Sequence, residues 1–229
     1  VKKFWNFVKN EETNETELIF NGPISDETWY GDEITPALFR DELGKIDGNL
    51  TVWVNSPGGD VFAASQIYTM LRNHTGKVTV KIDGIAASAA SVVAMAGDET
   101  FIAPTAMIMI HDPSTLAYGN KDDMKKAIEQ LDEVKESIIN AYEKKTGLSR
   151  EKIAKMMSDE TWMNAKKAHE LGFVDGILFG TSKESASNSL QFAARKSING
   201  FLNKISVPVP KQSGVQIEQL YKRLDLLKY

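Results

Sequence analysis

Val78-Thr79-Val80-Lys81-Ile82-Asp83-Gly84-Ile85-Ala86-Ala87-Ser88-Ala89-Ala90-Ser91-Val92-Val93-Ala94-Met95-Ala96 passes from a β-branched run, through small residues, into an unbroken apolar segment. Val78 to Ile82 reads as a strand, and Val92 to Ala96 suits a buried helix. Ser88 falls at the turn between them. There its hydroxyl would sit near a helix N-terminus, whose positive dipole end favours developing negative charge. The plain role for such a serine is a helix N-cap in a tightly packed turn. The sharper role is a nucleophile, with alanines and a glycine leaving room for a substrate backbone. Ser91, one helical turn on, is expected to pack or to bond to the backbone.

The same alternation extends outward on both sides. Leu18-Ile19-Phe20, Leu50-Thr51-Val52-Trp53-Val54, Thr100-Phe101-Ile102 and Met107-Ile108-Met109-Ile110 read as further strands. Ile34 to Leu43 and Phe62 to Leu71 carry apolar residues at helical spacing, the second through Phe62, Ile67, Met70 and Leu71. Strand then helix, repeated, implies an α/β fold with parallel strands and crossover helices. Lys121 to Lys145 is the longest periodic segment, with Met124, Ile128, Leu131, Ile138 and Tyr142 on one face. It is either an ordinary covering helix or a projecting arm whose apolar stripe another subunit buries. Gly147 supplies a stop, and Ser149 an N-cap for a following helix.

Two more segments carry chemistry. Asn55-Ser56-Pro57-Gly58-Gly59 follows the strongest strand; its glycines allow positive φ and outward N–H groups, as an oxyanion hole requires, although a plain turn would look the same. His111 ends the Met107–Ile110 run, so its imidazole would emerge at a strand's C-terminal edge, where α/β sites form. An imidazole there could serve as a general base. His74 lies in a polar turn and His169 on a charged helix, so both are expected to be solvated. A third group must orient that imidazole: Asp159 and Glu160 are candidates, and Asp112 a weaker one, because consecutive strand residues face opposite ways.

Taken in order, these segments resemble the ClpP family, the proteolytic subunit of the Clp protease. The resemblance runs from about Leu18 to Leu178 and rests on the Asn-Ser-Pro-Gly-Gly turn, the Ser88-to-His111 spacing, Met-Ile-His-x-Pro, and Trp162 to Asp175. It implies a ClpP/crotonase-like fold of repeated β-β-α and βαβ units with a protruding handle helix, Lys121 to Lys145. It further implies a serine endopeptidase in which Ser88 attacks, His111 shuttles the proton, and the N–H groups of Gly59 and Ala89 hold the oxyanion. The acid falls on Glu160 in the family's register, where aspartate is usual, with Asp159 the alternative. The family implies stacked homo-oligomeric rings, peptide or unfolded-protein substrates, and an ATP-hydrolysing AAA+ unfoldase. Ala90 replaces a usual glycine, Asp60 follows the Gly-Gly turn, and the segment before Leu18 does not match the family's axial loop. Those departures resemble the ClpP-like proteases of phage and prophage linked to capsid maturation.

The expected division is an N-terminal segment 1–17, a protease domain 18–180 and an appendage 181–229. The appendage reads as a serine-rich linker, a Val207-Pro208-Val209-Pro210 breaker and a short amphipathic helix from Val215 to Leu227. Bulk composition narrows the remaining classes. With 229 residues and 42% hydrophobic content the chain can bury a core. Its 27 basic and 31 acidic residues give a net charge of −4, against nucleic-acid or anionic-membrane binding. No cysteine is present, which removes thiolate and disulfide chemistry. No run of about 18 apolar residues, no secretory leader, no Walker-type loop and no metal-ligand spacing are evident, so the expectation is a cytoplasmic protein without metal or cofactor. Competing readings are a crotonase-like thioester enzyme, a Ser-Lys dyad using Lys77 or Lys81, and an inactive ring serving as scaffold.

Overall fold

The computed structural model describes residues 4–10, 15–25 and 36–179. The expected linker and helix beyond Thr181 lie outside these residues. Among the described residues eight strands form one sheet: β1 (Trp5–Asn10), β2 (Glu15–Asn21), β3 (Leu50–Ser56), β4 (Val78–Ala87), β5 (Glu99–Ile102), β6 (Met107–Ile110), β7 (Thr161–Asn164) and β8 (Gly176–Ile177). Among the described residues six helices accompany them: α1 (Pro36–Leu43), α2 (Val61–Arg72), α3 (Ala89–Ala94), α4 (Lys121–Thr146), α5 (Arg150–Ser158) and α6 (Ala165–Glu170). The order across the sheet is β1-β2-β3-β4-β5-β8, with β6 paired to β4 and β7 to β6. Strands β2, β3, β4, β5 and β8 run parallel to one another and β6 runs parallel to β4, while β1 and β7 are antiparallel additions on β2 and β6. This is the expected mixed α/β architecture.

Burial follows from the runs of β-branched residues. Val52, Trp53 and Val54 are all buried, because helices cover the parallel sheet. Phe4, Trp5, Phe20 and Phe39 interlock near one edge at centroid distances of 4.7–6.1 Å, mostly edge to face. In α2 the buried stripe is Ala63, Ala64, Ile67 and Leu71. Phe62 does not belong to it and is 56% exposed, because position 62 falls one step off the 63–67–71 row.

Strand β4 positions the site. Its first half, Thr79 to Ile82, pairs with β5, but its second half, Ile85 to Ala87, pairs with β6. On its other side β3 changes register between Val54 and Ser56, which brings Ser56 opposite Ala86. Three strand ends therefore meet where β4 gives way to α3.

Helix α4 has 26 residues, about 39 Å at 1.5 Å per residue. Asn120 and Asp123 form a capping box at its start, and Gly147 ends it at φ +67°. Its buried residues, Ile138, Ile139, Ala141 and Tyr142, all lie in the C-terminal half. Ile128 in the N-terminal half is 60% exposed. Among the described residues no side chain in the first half of α4 is fully buried, as in a projecting arm.

Candidate active site

Ser88 stands at the N-cap position of α3 but does not cap it: no side-chain cap hydrogen bond is made. Its backbone has φ +52° and ψ −129°, a conformation that costs a residue with a Cβ about 1–3 kcal/mol. The Ser88 N–H donates to the Met109 carbonyl at 2.9 Å, pinning the turn to β6. Because Ala87 pairs with Met109, the residues just past both strand ends are neighbours. The outcome is a Ser88 Oγ to His111 Nε2 distance of 2.7 Å.

The Asn55–Gly59 turn packs against the same point. Ser56, fully buried, accepts a hydrogen bond from the Gly58 N–H at 3.2 Å. Gly58 has φ +96°, and a Cβ there would lie 2.6 Å from the Ala87 carbonyl oxygen. Gly59 has φ +146° and bridges to Ile24. Ile24 donates to the Gly58 carbonyl at 2.8 Å and accepts from the Asp60 N–H at 3.0 Å. Among the described residues the N–H groups of Gly59 and Ala89 carry no hydrogen bond within the protein. Asp60 has a structural reason for its place: it caps α2, accepting from the Ala63 N–H at 2.6 Å.

The three carboxylates diverge. Asp112 accepts from Ser158 on α5 at 2.9 Å and pairs with Lys135 on α4 at 2.8 Å, so its carboxylate is engaged by those two helices. Asp159 ends α5 and pairs with Lys155 at 2.8 Å. Glu160, at φ +46°, accepts from the Trp162 indole N–H at 3.1 Å. The antiparallel β6–β7 pairing ends with Ile110 opposite Thr161, so His111 and Glu160 each lie one residue beyond the last pair. The remaining candidates lie elsewhere. His74 contacts the Gly48 carbonyl at 2.7 Å, and His169 is exposed on α6. Lys77 pairs with Glu99 at 2.8 Å, and Lys81 lies over the Trp53 ring.

A cavity of about 220 Å³ opens beside Ser88 and His111, walled by Val92, Leu131, Val134, Ile138 and Tyr142, with Phe62 at its side. The apolar wall comes largely from α4, whose periodicity predicted a helix but not a site wall. A cavity with one apolar wall from α4, its other side lined by Asp60, Ser114, Thr115 and Gln130, beside a serine-imidazole pair and two unengaged N–H groups, can seat an apolar side chain against that wall while a carbonyl lies at the serine.

The chain matches known proteins over the same region. The sequence model of the family described as Clp protease matches residues 4–181. Similar curated proteins include three described as ATP-dependent Clp protease proteolytic subunit 1. The one from Chlamydia abortus is 32% identical over 166 residues, covering 71% of this chain and 85% of the relative. The one from Chlamydia muridarum is 33% identical over the same shares. The one from Chlamydia caviae is 30% identical over 183 residues, 78% of this chain and 95% of the relative.

Proposed function

Because the chain belongs to the Clp protease family, and is on that ground a peptidase, we propose that it cleaves peptide bonds through Ser88, His111 and an acyl-enzyme. The observation that carries this reading is the 2.7 Å contact between Ser88 Oγ and His111 Nε2, made by a serine held at positive φ that leaves its helix uncapped. An N-cap serine would spend its oxygen on α3 and take extended dihedrals.

In the proposed reaction Ser88 Oγ attacks the scissile carbonyl carbon while His111 Nε2 takes its proton. The carbonyl oxygen becomes an oxyanion between the Gly59 and Ala89 N–H groups, where each donor contributes about 3 kcal/mol. Collapse of the intermediate expels the amine, which receives the proton from His111 and leaves Ser88 acylated. Water, deprotonated by His111, then releases the acid and restores the hydroxyl. Glu160 is the proposed orienting acid, a reading supported by the β6–β7 pairing, whose last pair, Ile110 with Thr161, is one residue short of both His111 and Glu160. That role needs its carboxylate to exchange the Trp162 indole for the imidazole Nδ1–H. Gly59, Ala89 and the α4 wall make the substrate an extended peptide with an apolar side chain beside the scissile bond.

We place this site inside a homo-oligomeric ring assembly, with the N-terminal half of α4 at a subunit contact. An ATP-hydrolysing partner would deliver unfolded protein, as the relatives' description as subunits of an ATP-dependent protease supports. A catalytically weak ring acting as scaffold is the second reading, favoured by one observation, the engagement of Glu160 by Trp162. A fluorophosphonate probe discriminates between them. Wild-type protein should be labelled and Ser88→Ala should not, with His111→Ala labelled at least 100-fold more slowly, on the order of the loss when a triad base is removed. Equal labelling of wild type and Ser88→Ala would refute the assignment.

A further inference from the structure

Two buried hydroxyls behind the nucleophile take no part in the chemistry described above. Ser91 is fully buried on α3, and its Oγ donates to the Ser88 carbonyl at 2.6 Å. The same oxygen lies 2.7 Å from the hydroxyl of Tyr142 on α4. Tyr142 is 1% exposed, with its ring 5.7 Å from that of Phe173. Proton counting fixes the direction. A carbonyl only accepts, so the one Ser91 proton is committed to Ser88, and Tyr142 must therefore donate to Ser91. Burial pushes the Tyr142 phenol well above its ordinary range, opposed only in part by the Ser91 hydrogen bond, so it keeps that proton.

The Ser88 carbonyl belongs to the same peptide group as the Ala89 N–H. It also accepts from the Ser91 N–H at 2.9 Å, so two donors pull on one carbonyl oxygen. Withdrawing charge through a carbonyl makes the N–H of that peptide a better donor, and a chain of hydrogen bonds reinforces itself in a low-dielectric site. Burying two hydroxyls where an apolar pair would pack carries a desolvation cost, and packing alone gives no reason for it. Resting on the Ser88 reading above, the geometry points to a relay. Tyr142, through Ser91, holds and polarises the Ser88–Ala89 peptide so that the Ala89 N–H meets the oxyanion as a strengthened donor. Neither residue touches the scissile bond through this relay; both are positioning residues. The relay also ties the projecting helix α4 to the oxyanion site.

The test uses full-length protein, a peptide substrate, a peptide aldehyde that Ser88 converts to a tetrahedral adduct, and the matching peptide alcohol that forms none. Tyr142→Phe keeps the ring and removes the donor. It should lower kcat and aldehyde affinity together by roughly three-fold, with KM and alcohol affinity unchanged. Ser91→Ala should lower the same two quantities by about ten-fold. The double variant should be no worse than Ser91→Ala, because Tyr142 acts through Ser91. Three results would each overturn the relay in an enzyme that turns over: unchanged kcat and aldehyde affinity in both variants, equal losses of aldehyde and alcohol affinity, or additive effects. If Ser91→Ala does not fold, Tyr142→Phe decides alone. A wild-type protein unlabelled at Ser88 would instead remove the peptidase mechanism, and the relay with it.

Discussion

Gly58→Ala places a methyl where three strand ends converge. At φ +96° its Cβ would stand 2.6 Å from the Ala87 carbonyl oxygen, 2.7 Å from Ser88 Cβ and 2.9 Å from the Ala89 nitrogen. Ordinary contact begins at 3.4 Å, so these neighbours are too close by 0.5 to 0.8 Å. None is the end of a flexible side chain, and all three belong to the serine turn, which is tied to β6 and already at positive φ. Unfavourable φ and overpacking together cost about 2–4 kcal/mol, or roughly 5–12 °C in melting temperature for a domain of this size. Relief would push Ser88 and Ala89 away from the cleft, and misplacement approaching 1 Å costs on the order of 100-fold in rate. Gly147→Ala is the control, since φ there is +67° but nothing lies within 4 Å of the added methyl. It should cost about 1 kcal/mol and leave reactivity untouched. Thermal unfolding and the fluorophosphonate labelling rate, measured on both variants, check this. A Gly58→Ala protein that melts and labels like wild type would refute the claim that the glycine turn buttresses the serine.

Three further outcomes are expected. Asp60→Ala removes the α2 cap and should destabilise by about 1 kcal/mol, read by denaturant unfolding, whereas Asp60→Asn, whose amide oxygen can accept the same bond, should retain most of the stability. Glu160→Gln should slow peptide turnover at least 100-fold by analogy with loss of a triad acid, whereas Asp159→Asn, which loses only an exposed pair with Lys155, should change it less than two-fold; the reverse ranking would move the acid to Asp159. The third outcome concerns stability at high pH. The folded Tyr142 pKa is raised above its ordinary value of 10.0, chiefly by burial, so the unfolded chain loses this proton first. Its contribution is present in full below that value and falls as pH rises towards the folded one. Wild-type stability should drop more steeply between about pH 10 and 11 than that of Tyr142→Phe in pH-dependent unfolding, and equal slopes would refute it.

What the sequence made legible depended on how strongly each segment declared itself. Met107–Ile110 was read to the residue as β6, and Leu50–Val54 and Val78–Ile82 as the cores of β3 and β4, because continuous β-branched and apolar runs suit a covered parallel strand. The continuation of β4 through Ile85 to Ala87 was read as turn. Alanine and glycine have poor strand propensity, and what keeps them extended is pairing with Met107–Met109, a long-range fact. β1, β7 and β8 went unread for related reasons. Thr161–Asn164 buries only Met163, so no alternation stands out, and Trp5–Asn10 is a polar-tipped edge strand held by β2 and the aromatic cluster.

The proximity of Ser88 and His111 could be inferred because each ends a strand, and adjacent parallel strands end together. The direction of an acid could not, because it turns on the dihedrals of single residues. Asp112 follows His111 directly, yet its carboxylate is engaged by Lys135 and Ser158. Glu160 takes φ +46° between α5 and β7, a conformation that sequence does not announce for glutamate. Its carboxylate meets the indole two residues on. Position 160 lies one residue before β7, whose pairing with β6 ends at Thr161 and Ile110, and its side chain is engaged by the indole rather than by an imidazole. Trp162→Phe removes that competing donor and leaves the β6–β7 pairing intact. If Glu160 is the orienting acid, the variant should turn over peptide at least as fast as wild type, and the gain should vanish in Trp162→Phe with Glu160→Gln. A Trp162→Phe enzyme slower than wild type at unchanged KM would show that the indole supports catalysis, and the competition argument would fall.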